Sequence, residues 1–274
     1  MNRRNLFGVL ATLAALPSLS LKAFRLNTIG VQLVSVREAL GIDPEPVVAA
    51  LSKIGFAEVE VWLPAINAPS VNALRSALNK HRMTAPSRHW ESRNVRPENF
   101  NRMLTECEVL GSQFLVITAL PAEQRGKLDS YKRAADWFNE AGRAAKGRGV
   151  QLAFHSEAFD FPSLDGIVPF DYLIDHTDPT LVKFQLDTAN ITKSGKSPLD
   201  YLTRLGNRVV SLHLKDVTRG GEELDLGSGT VPLSEILRRA QVAGVKHYFV
   251  EDERPGLGYG HVERAFSLLT SLDF

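Results

Sequence analysis

Short apolar runs alternate with longer amphipathic segments from residue 29 to the end of the 274-residue chain. The runs are rich in β-branched and aromatic residues, which favour strands, and the segments between them repeat their apolar residues at helical spacing. Strands that alternate with helices predict a parallel sheet. The eight predicted strands are IGVQLV (29–34), AEVEVW (57–62), TAPSRHW (84–90), FLVITA (114–119), VQLAFH (150–155), VKFQLD (182–187), VVSLHL (209–214) and HYFVED (247–252).

Residues that begin and end helices flank the segments between the strands. In the first segment Asp43 and Pro44 precede the apolar repeat and Gly55 follows it, which is the order that helix termini prefer. The fifth segment, within 164–176, has the least regular pattern. The other predicted helices span 70–81, 97–111, 130–149, 198–206, 232–244 and 260–272. The sequence lacks the GxGxxG turn that would indicate a doubly wound sheet. The eight units therefore predict a single α/β domain over residues 24–274, a (β/α)8 TIM barrel.

Composition and charge exclude several classes of protein. The 32 Lys and Arg residues nearly balance 31 Asp and Glu residues, whereas nucleic-acid-binding domains are usually strongly basic. A hydrophobic content of 44% with 23% charged residues is that of a globular protein and excludes disorder. Cys107 is the single cysteine, so the chain can form neither an intrachain disulfide nor a cysteine-based zinc site.

The first residues have the pattern of an export signal. Arg3 and Arg4 precede a run of apolar and small residues from Leu6 to Leu21, which is shorter than the roughly 20 apolar residues of a membrane span. A basic start, an apolar middle and a small-residue end are typical of export signals, and the arginine pair is typical of the twin-arginine route. We therefore expect residues 1–23 to be the signal and the mature protein to be periplasmic without a stable membrane anchor; an uncleaved amphipathic anchor is the alternative.

Replacing Arg3 and Arg4 with lysine is expected to leave the protein in the cytoplasm, because the twin-arginine route reads that pair. Lysine keeps the positive charge that a general secretion signal needs. The measurement is the distribution of the protein between periplasmic and cytoplasmic fractions. Unchanged recovery from the periplasm would exclude the twin-arginine route and leave general secretion.

Ionisable residues are concentrated at the ends of the predicted strands. In a barrel the carboxyl ends of the strands carry the catalytic residues. Histidines and carboxylates are rarely buried unless they are paired or bind a metal, so such a group on four different strands predicts one divalent metal ion. A mixed nitrogen and oxygen ligand set suits Mn, Mg, Co, Zn or Fe. Each of these histidines and carboxylates, taken singly, can also be an ordinary hydrogen-bonded residue. The predicted ligands are His155, Asp187, His213 and Glu251.

Further polar residues follow the same strand ends. By the two-residue period of a strand, Lys215 shares a face with His213, and Glu253 shares a face with Glu251. The predicted substrate-binding residues are Glu60, Trp62, His89 and Glu253, and the predicted catalytic residues are Glu251, Lys215 and His155.

Several of these residues have alternative interpretations. Glu60 can instead pair with Arg37 or Lys215, and Glu253 can pair with Arg254. Trp62 can pack at the rim rather than stack on a sugar. The charged stretch RGGEEL (219–224) is most simply a solvated loop.

Seven stretches in order carry a resemblance to a known family. They are IGVQLVSVREAL, GFAEVEVW, TAPSRHW, LAFHSEAFDF, KFQLDTANITKSGKSP, SLHLKD and HYFVEDE. Together they resemble the xylose isomerase-like TIM barrels, sugar phosphate isomerases/epimerases, over nearly all of the chain from residue 29. The resemblance implies one metal held at the ends of strands five to eight, and the matching positions here are His155, Asp187, His213 and Glu251.

The fifth strand departs from the family pattern. The chain is most similar to an exported branch whose fifth strand reads His-Asn-His, whereas Ser156 and Glu157 follow His155 here. The epimerases of the family use two metal-bound glutamates to move a proton beside a carbonyl. Glu251 keeps one of these carboxylates, and the other position is His155, with Glu157 as the reserve candidate for the missing ligand.

Three hypotheses for the function of the chain stay open. The first is a metal-dependent isomerase or epimerase acting on a small carbohydrate, with Glu251 as the base and Lys215 stabilising the negative oxygen. The second is a lyase or hydratase acting on 3-keto-glycosides, as in relatives of the exported branch. The third is a non-catalytic carbohydrate-binding barrel that has kept part of the site. The oligomeric state is left open by the sequence.

Overall fold

The computed structural model describes residues 25–63, 68–91 and 96–274, so the predicted export signal at 1–23 lies outside the described residues. Eight parallel strands close into a barrel, with a two-stranded antiparallel hairpin beside it. The barrel strands are β1 (Gly30–Gln32), β2 (Glu58–Val61), β3 (Thr84–Trp90), β4 (Phe114–Ile117), β5 (Gln151–His155), β6 (Val182–Asp187), β7 (Val209–Leu214) and β10 (His247–Val250), and the hairpin strands are β8 (Asp216–Val217) and β9 (Glu223–Leu224). The order around the barrel is β1-β10-β7-β6-β5-β4-β3-β2, which confirms the predicted TIM barrel.

Helices connect successive barrel strands at the predicted places. They are α1 (Glu45–Ile54), α2 (Val71–Lys80), α3 (Phe100–Leu110), α4 (Leu128–Gly147), α5 (Pro169–His176), α6 (Thr188–Lys193), α7 (Pro198–Leu205), α8 (Leu233–Ala243) and α9 (Gly260–Ser271). Only α6 has no counterpart among the predicted helices. It starts directly after β6, where the Asp187 side chain accepts a hydrogen bond from Asn190 N and so caps its first turn. No helix among the described residues is long and apolar enough to cross a membrane.

The main apolar core lies between the barrel wall and the helices. In α4, Tyr131, Ala135 and Phe138 are buried at helical spacing, and the Phe138 ring lies 5.2 Å from that of Phe154 on β5. A side chain at Gly142 would come within 2.7 Å of the Leu181 carbonyl oxygen, so this glycine allows the helix to approach the sheet. Such packing holds the strands rigidly, which is what a site assembled from several strand ends requires.

The hairpin follows β7 and is closed by one buried carboxylate. Asp216 accepts hydrogen bonds from the backbone N–H groups of Val217, Gly227, Gly229 and Val231. A Cβ at Gly229 would lie 2.2 Å from Asp216 Oδ1, so this position requires glycine. The stretch 219–224 is therefore not simply a solvated loop, because its last two residues form β9.

Candidate functional site

A cavity of about 360 Å³ opens at the carboxyl ends of the barrel strands. Its walls carry most of the predicted site residues and several polar residues that the sequence did not single out. The predicted residues that line it are Trp62, His89, His155, Glu157, Lys215, Glu251 and Glu253, and the additional polar ones are Gln32, Glu91, Thr118, Arg125 and Asn190. The predicted ligands Asp187 and His213 are fully buried in its floor.

The four predicted metal ligands converge at this floor. Single ligand atoms of Asp187, His213 and Glu251 all lie within 4.8 Å of one another. His155 Nε2 lies 3.9 Å from Asp187 Oδ2, and His213 Nδ1 lies 2.6 Å from Glu251 Oε2. The strand ends thus bring two imidazoles and two carboxylates together as the sequence predicts.

Buried partners orient the two imidazoles. Glu60 contacts His213 Nε2, which leaves Nδ1 on the side of Glu251. Gln185 Oε1 lies 2.9 Å from His155 Nδ1. The amide of Gln185 donates to Glu60 and Ser211, so its oxygen must face His155 and accept the Nδ1 proton. A ligating histidine ordinarily donates its second ring N–H to a carboxylate or carbonyl group, and both histidines have this arrangement.

Two orphaned polar atoms complete the test for a metal. Asp187 Oδ2 and His213 Nδ1 are buried and have no hydrogen-bond partner among the described residues. Although His213 Nδ1 and Glu251 Oε2 are close, they do not meet in hydrogen-bond geometry. Leaving such atoms unsatisfied costs free energy, and a divalent cation between them would satisfy both. The residues present therefore fit a single N/O-coordinated metal.

Glu60 is a buried support for the site rather than part of the cavity wall. Its carboxylate accepts hydrogen bonds from Ser87 Oγ and Gln185 Nε2 at 2.5 and 2.8 Å, in addition to its contact with His213. The alternative pairing with Arg37 or Lys215 is wrong. Burial alone would raise the pKa of Glu60, but the charge of His213 and the hydrogen bonds from His213 and Ser87 lower it. Since Glu60 is fully buried below the cavity, its contacts favour orienting His213 over binding a substrate.

Lys215 is the buried cation of the site. Its Nζ lies 2.8 Å from both Glu223 Oε1 and Glu253 Oε2, 3.4 Å from Glu251 Oε2 and 3.7 Å from Asp187 Oδ2. Burial alone would lower the pKa of Lys215, but these carboxylates raise it well above its usual value. Glu253 therefore pairs with Lys215, and the alternative pairing with Arg254 is wrong, because Arg254 contacts Asp252 and Asp225 instead.

The hydrogen-bonded pair of Glu157 and Asn190 forms another part of the wall. Asn190 Nδ2 donates to Glu157 Oε2 at 3.1 Å. Burial, and after it the charge of Asp187, raise the pKa of Glu157 to about 8. Asp160, whose Oδ2 accepts from Glu157 N and whose Oδ1 accepts from the Tyr131 hydroxyl, holds this segment in place. Glu157 thus faces the cavity beside the ligand cluster.

Trp62 forms a half-buried edge of the cavity. Its indole Nε1 donates to Glu91 Oε1 at 2.8 Å, which fixes the ring at the rim. The sequence allowed either rim packing or sugar stacking for Trp62. A fixed ring beside a polar cavity is compatible with both, so stacking stays a prediction.

Besides the additional lining residues named above, Gln185 and Glu223 contact the site and were missed from the sequence. Gln185 lies two residues before Asp187 on β6, so the strand period places both side chains inside the barrel; this signal was present. Glu223 reaches Lys215 from β9, and no local pattern indicates that contact.

Comparisons with known proteins identify the family of the chain. The family model described as xylose isomerase-like TIM barrel matches residues 48–265. An inosose dehydratase of Clostridium beijerinckii is 25% identical over 194 residues, which are 63% of this chain and 63% of the relative. The chain thus spans less than two thirds of the length of that relative.

Two solved structures share the fold. A sugar phosphate isomerase/epimerase from Parabacteroides distasonis has a TM-score of 0.74 and 20% identity, with 94% of this chain and 99% of that chain covered. The IOLI protein, solved with a bound zinc atom, has a TM-score of 0.70 and 17% identity, with 88% and 95% covered. At such identities the likeness is one of fold. The match of the family model over most of the barrel identifies the chain as a member of the xylose isomerase-like TIM barrel family.

Proposed function

We propose that the protein is a metal-dependent carbohydrate lyase that removes water from a small keto-sugar, keto-cyclitol or 3-keto-glycoside. The observation that carries the proposal is the asymmetry of the ligand cluster. Asp187 and Glu251 supply the two carboxylates of the cluster, and the fourth predicted ligand is an imidazole, that of His155, 3.9 Å from Asp187. The name of the Clostridium beijerinckii relative, inosose dehydratase, supports the same reaction class.

The asymmetry disfavours epimerisation by a two-carboxylate shuttle. Such a shuttle needs a metal-bound carboxylate on each face of the sugar carbon, and Glu157, the cavity carboxylate nearest to His155 in sequence, is instead hydrogen-bonded to Asn190. His155 Nδ1 is engaged by Gln185, so this residue offers one nitrogen, suited to ligation. An elimination needs only one base beside the carbonyl and a proton for the departing hydroxyl group, and the cavity offers the groups for that.

The residues of the chain have separate parts in the reaction. Glu251, on the cavity wall, takes the proton from the carbon next to the carbonyl, and the electron pair forms an enolate. The Lys215 ammonium stabilises the negative oxygen. The hydroxyl group on the next carbon leaves as the double bond forms, and the proton held by Glu251 passes to it, so that one water is released and the protein is unchanged.

A divalent ion bound by His155, Asp187, His213 and Glu251 would polarise the carbonyl or hydroxyl oxygen as a Lewis acid. Its identity among Mn, Mg, Co, Zn and Fe is open. Trp62 offers a fixed apolar face at the rim for a sugar ring, and Glu253 keeps Lys215 in position through its 2.8 Å contact.

A product-mass assay in deuterium oxide tests the proposal. The metal-loaded protein is incubated with an inosose, a 3-keto-glycoside and a panel of free and phosphorylated sugars. We expect a product that is lighter by one water from one of the keto substrates. A product of unchanged mass apart from incorporated deuterium would instead establish an isomerase or epimerase, and saturable sugar binding without any exchange would establish a binding barrel.

A further inference from the structure

Three histidines, not two, meet at the floor of the cavity. His89, His155 and His213 offer ring nitrogens within 4.8 Å of one another, and the His89 ring lies 5.1 and 5.2 Å from the other two rings. By proximity alone His89 is a third imidazole ligand for the metal. Its hydrogen bonds lead to a different assignment.

Gln32 determines which nitrogen of His89 carries the proton. The side-chain oxygen of Gln32 accepts from Val34 N at 2.8 Å, and a backbone N–H can only donate. The amide nitrogen of Gln32 is therefore the group 2.9 Å from His89 Nδ1. Because that nitrogen donates, Nδ1 must accept, so the ring is neutral and its proton is on Nε2.

The protonated nitrogen has no partner. His89 Nε2 is buried without a hydrogen bond to any described residue, although the His89 side chain lines the cavity. A nitrogen that carries a proton cannot bind a metal, whereas it can donate to an oxygen. Buried donors without a partner are few in native proteins, and a ligand or an ordered water ordinarily satisfies them.

We propose that His89 is not a metal ligand but a neutral hydrogen-bond donor to the substrate oxygen that becomes negative, and that Gln32 is the positioning residue that fixes this state. The assignment of the oxygen rests on the lyase function proposed above. The protonation of His89 does not, because it follows from the contacts of Gln32 alone. His89 on β3 and Lys215, the residue directly after β7, are then the two donors to that oxygen.

Nitrogen NMR of the histidine rings tests the protonation without any substrate. In the wild-type protein we expect His89 Nδ1 to be unprotonated and Nε2 to be protonated. Titration with zinc should shift the ring signals of His155 and His213 as ligands, whereas both His89 nitrogens should keep their protonation. In the variant Gln32→Glu, whose carboxylate can only accept, Nδ1 of His89 should become protonated. The variant Gln241→Glu, which makes the same change at a half-buried position on α8, is the control and should leave His89 unchanged.

Two conservative substitutions test the donor in catalysis. The amide nitrogen in His89→Gln reaches the place of Nε2, whereas that in His89→Asn reaches the place of Nδ1. With the substrate found in the product-mass assay, we expect His89→Asn and His89→Ala to lower kcat by about 10²–10³-fold with little change in KM or metal content. His89→Gln should recover a large part of the loss.

The outcomes separate the two proposals. A zinc-bound His89 with an unprotonated Nε2, or a protonated Nδ1 in the wild type, would overturn the inference whatever the enzyme does. Equal kcat in wild type and His89→Asn would overturn the catalytic part. If no keto substrate loses water, the lyase proposal fails while the NMR result stands by itself.

Discussion

Replacing His213 with alanine is expected to abolish stoichiometric binding of a divalent metal, because the substitution removes a ligand at the centre of the cluster. Removing a residue that only orients a ligand typically lowers metal affinity about 10–100-fold. Removing the ligand itself should therefore lower the affinity by more than about 10²-fold. The wild-type protein should bind about one ion per chain, as expected for one ligand cluster. Metal analysis after dialysis, followed by calorimetric titration, measures both values.

Asp187 requires a more careful substitution than His213. Its Oδ1 accepts from Asn190 N and caps α6, while its Oδ2 is the orphaned atom in the cluster. Asp187→Ala should also lose the metal but removes the cap, whereas Asp187→Asn keeps a capping oxygen and removes the charge. The exposed variant His176→Ala is the control for histidine removal.

The metal content of the variants decides the assignment. Equal metal in the wild type, His213→Ala and Asp187→Ala would mean that the assignment is wrong. Circular dichroism and thermal melting establish that the variants remain folded. Full retention of metal in His155→Ala would transfer the fourth position to Glu157.

Glu251→Gln is expected to lower turnover by at least about 10²-fold, since general-base catalysis typically contributes 10²–10⁴-fold, while the substrate still binds. Glutamine keeps the size of the side chain and one oxygen for the metal but loses the base. The kcat measured at a defined metal content reports the effect. Glu253→Gln should cost far less, because the Glu253 side chain is 55% exposed and contacts Lys215 rather than the cluster.

This experiment has a matched control and a result that would contradict it. The same change at Glu235 on the exposed face of α8 should leave kcat unchanged and controls for the substitution itself. Normal turnover of Glu251→Gln with metal bound would contradict the role of Glu251, and the base would then be His155 or Lys215.

The barrel could be predicted because each of its units is locally encoded. A β-branched run followed by an amphipathic helix with its own start and stop residues identifies a strand–helix unit without reference to the others. The helix α6 was not predicted because its sequence, TANITK, is short and rich in residues of modest helix propensity. The helix begins where the Asp187 side chain caps its first turn, so the signal for it is one capping residue and not a repeat of apolar positions.

The residues at the strand ends could be predicted, but their pairing could not. The position of Glu60 followed from the strand period, but neither its predicted substrate-binding role nor the alternative pairing with Arg37 or Lys215 indicated its actual partner, His213. Contacts across the interior of a barrel join residues far apart in sequence, here 153 positions, and no local pattern encodes them. Glu223 was missed for a different reason: it is close to Lys215 in sequence, but their contact depends on a hairpin whose strands β8 and β9 have two residues each, too short for a recognisable period.

The carboxylate of Asp216 also has a consequence for protein engineering. Its hydrogen bonds to the backbone N–H groups of residues 227, 229 and 231 hold these residues at the start of the hairpin. Residues 219–222 at the tip of the hairpin are mostly exposed and take no part in the hydrogen bonds to Asp216. Insertions at this tip should therefore keep the hydrogen bonds of Asp216. Insertions near Gly229 would break them and with them the support of the hairpin that carries Glu223.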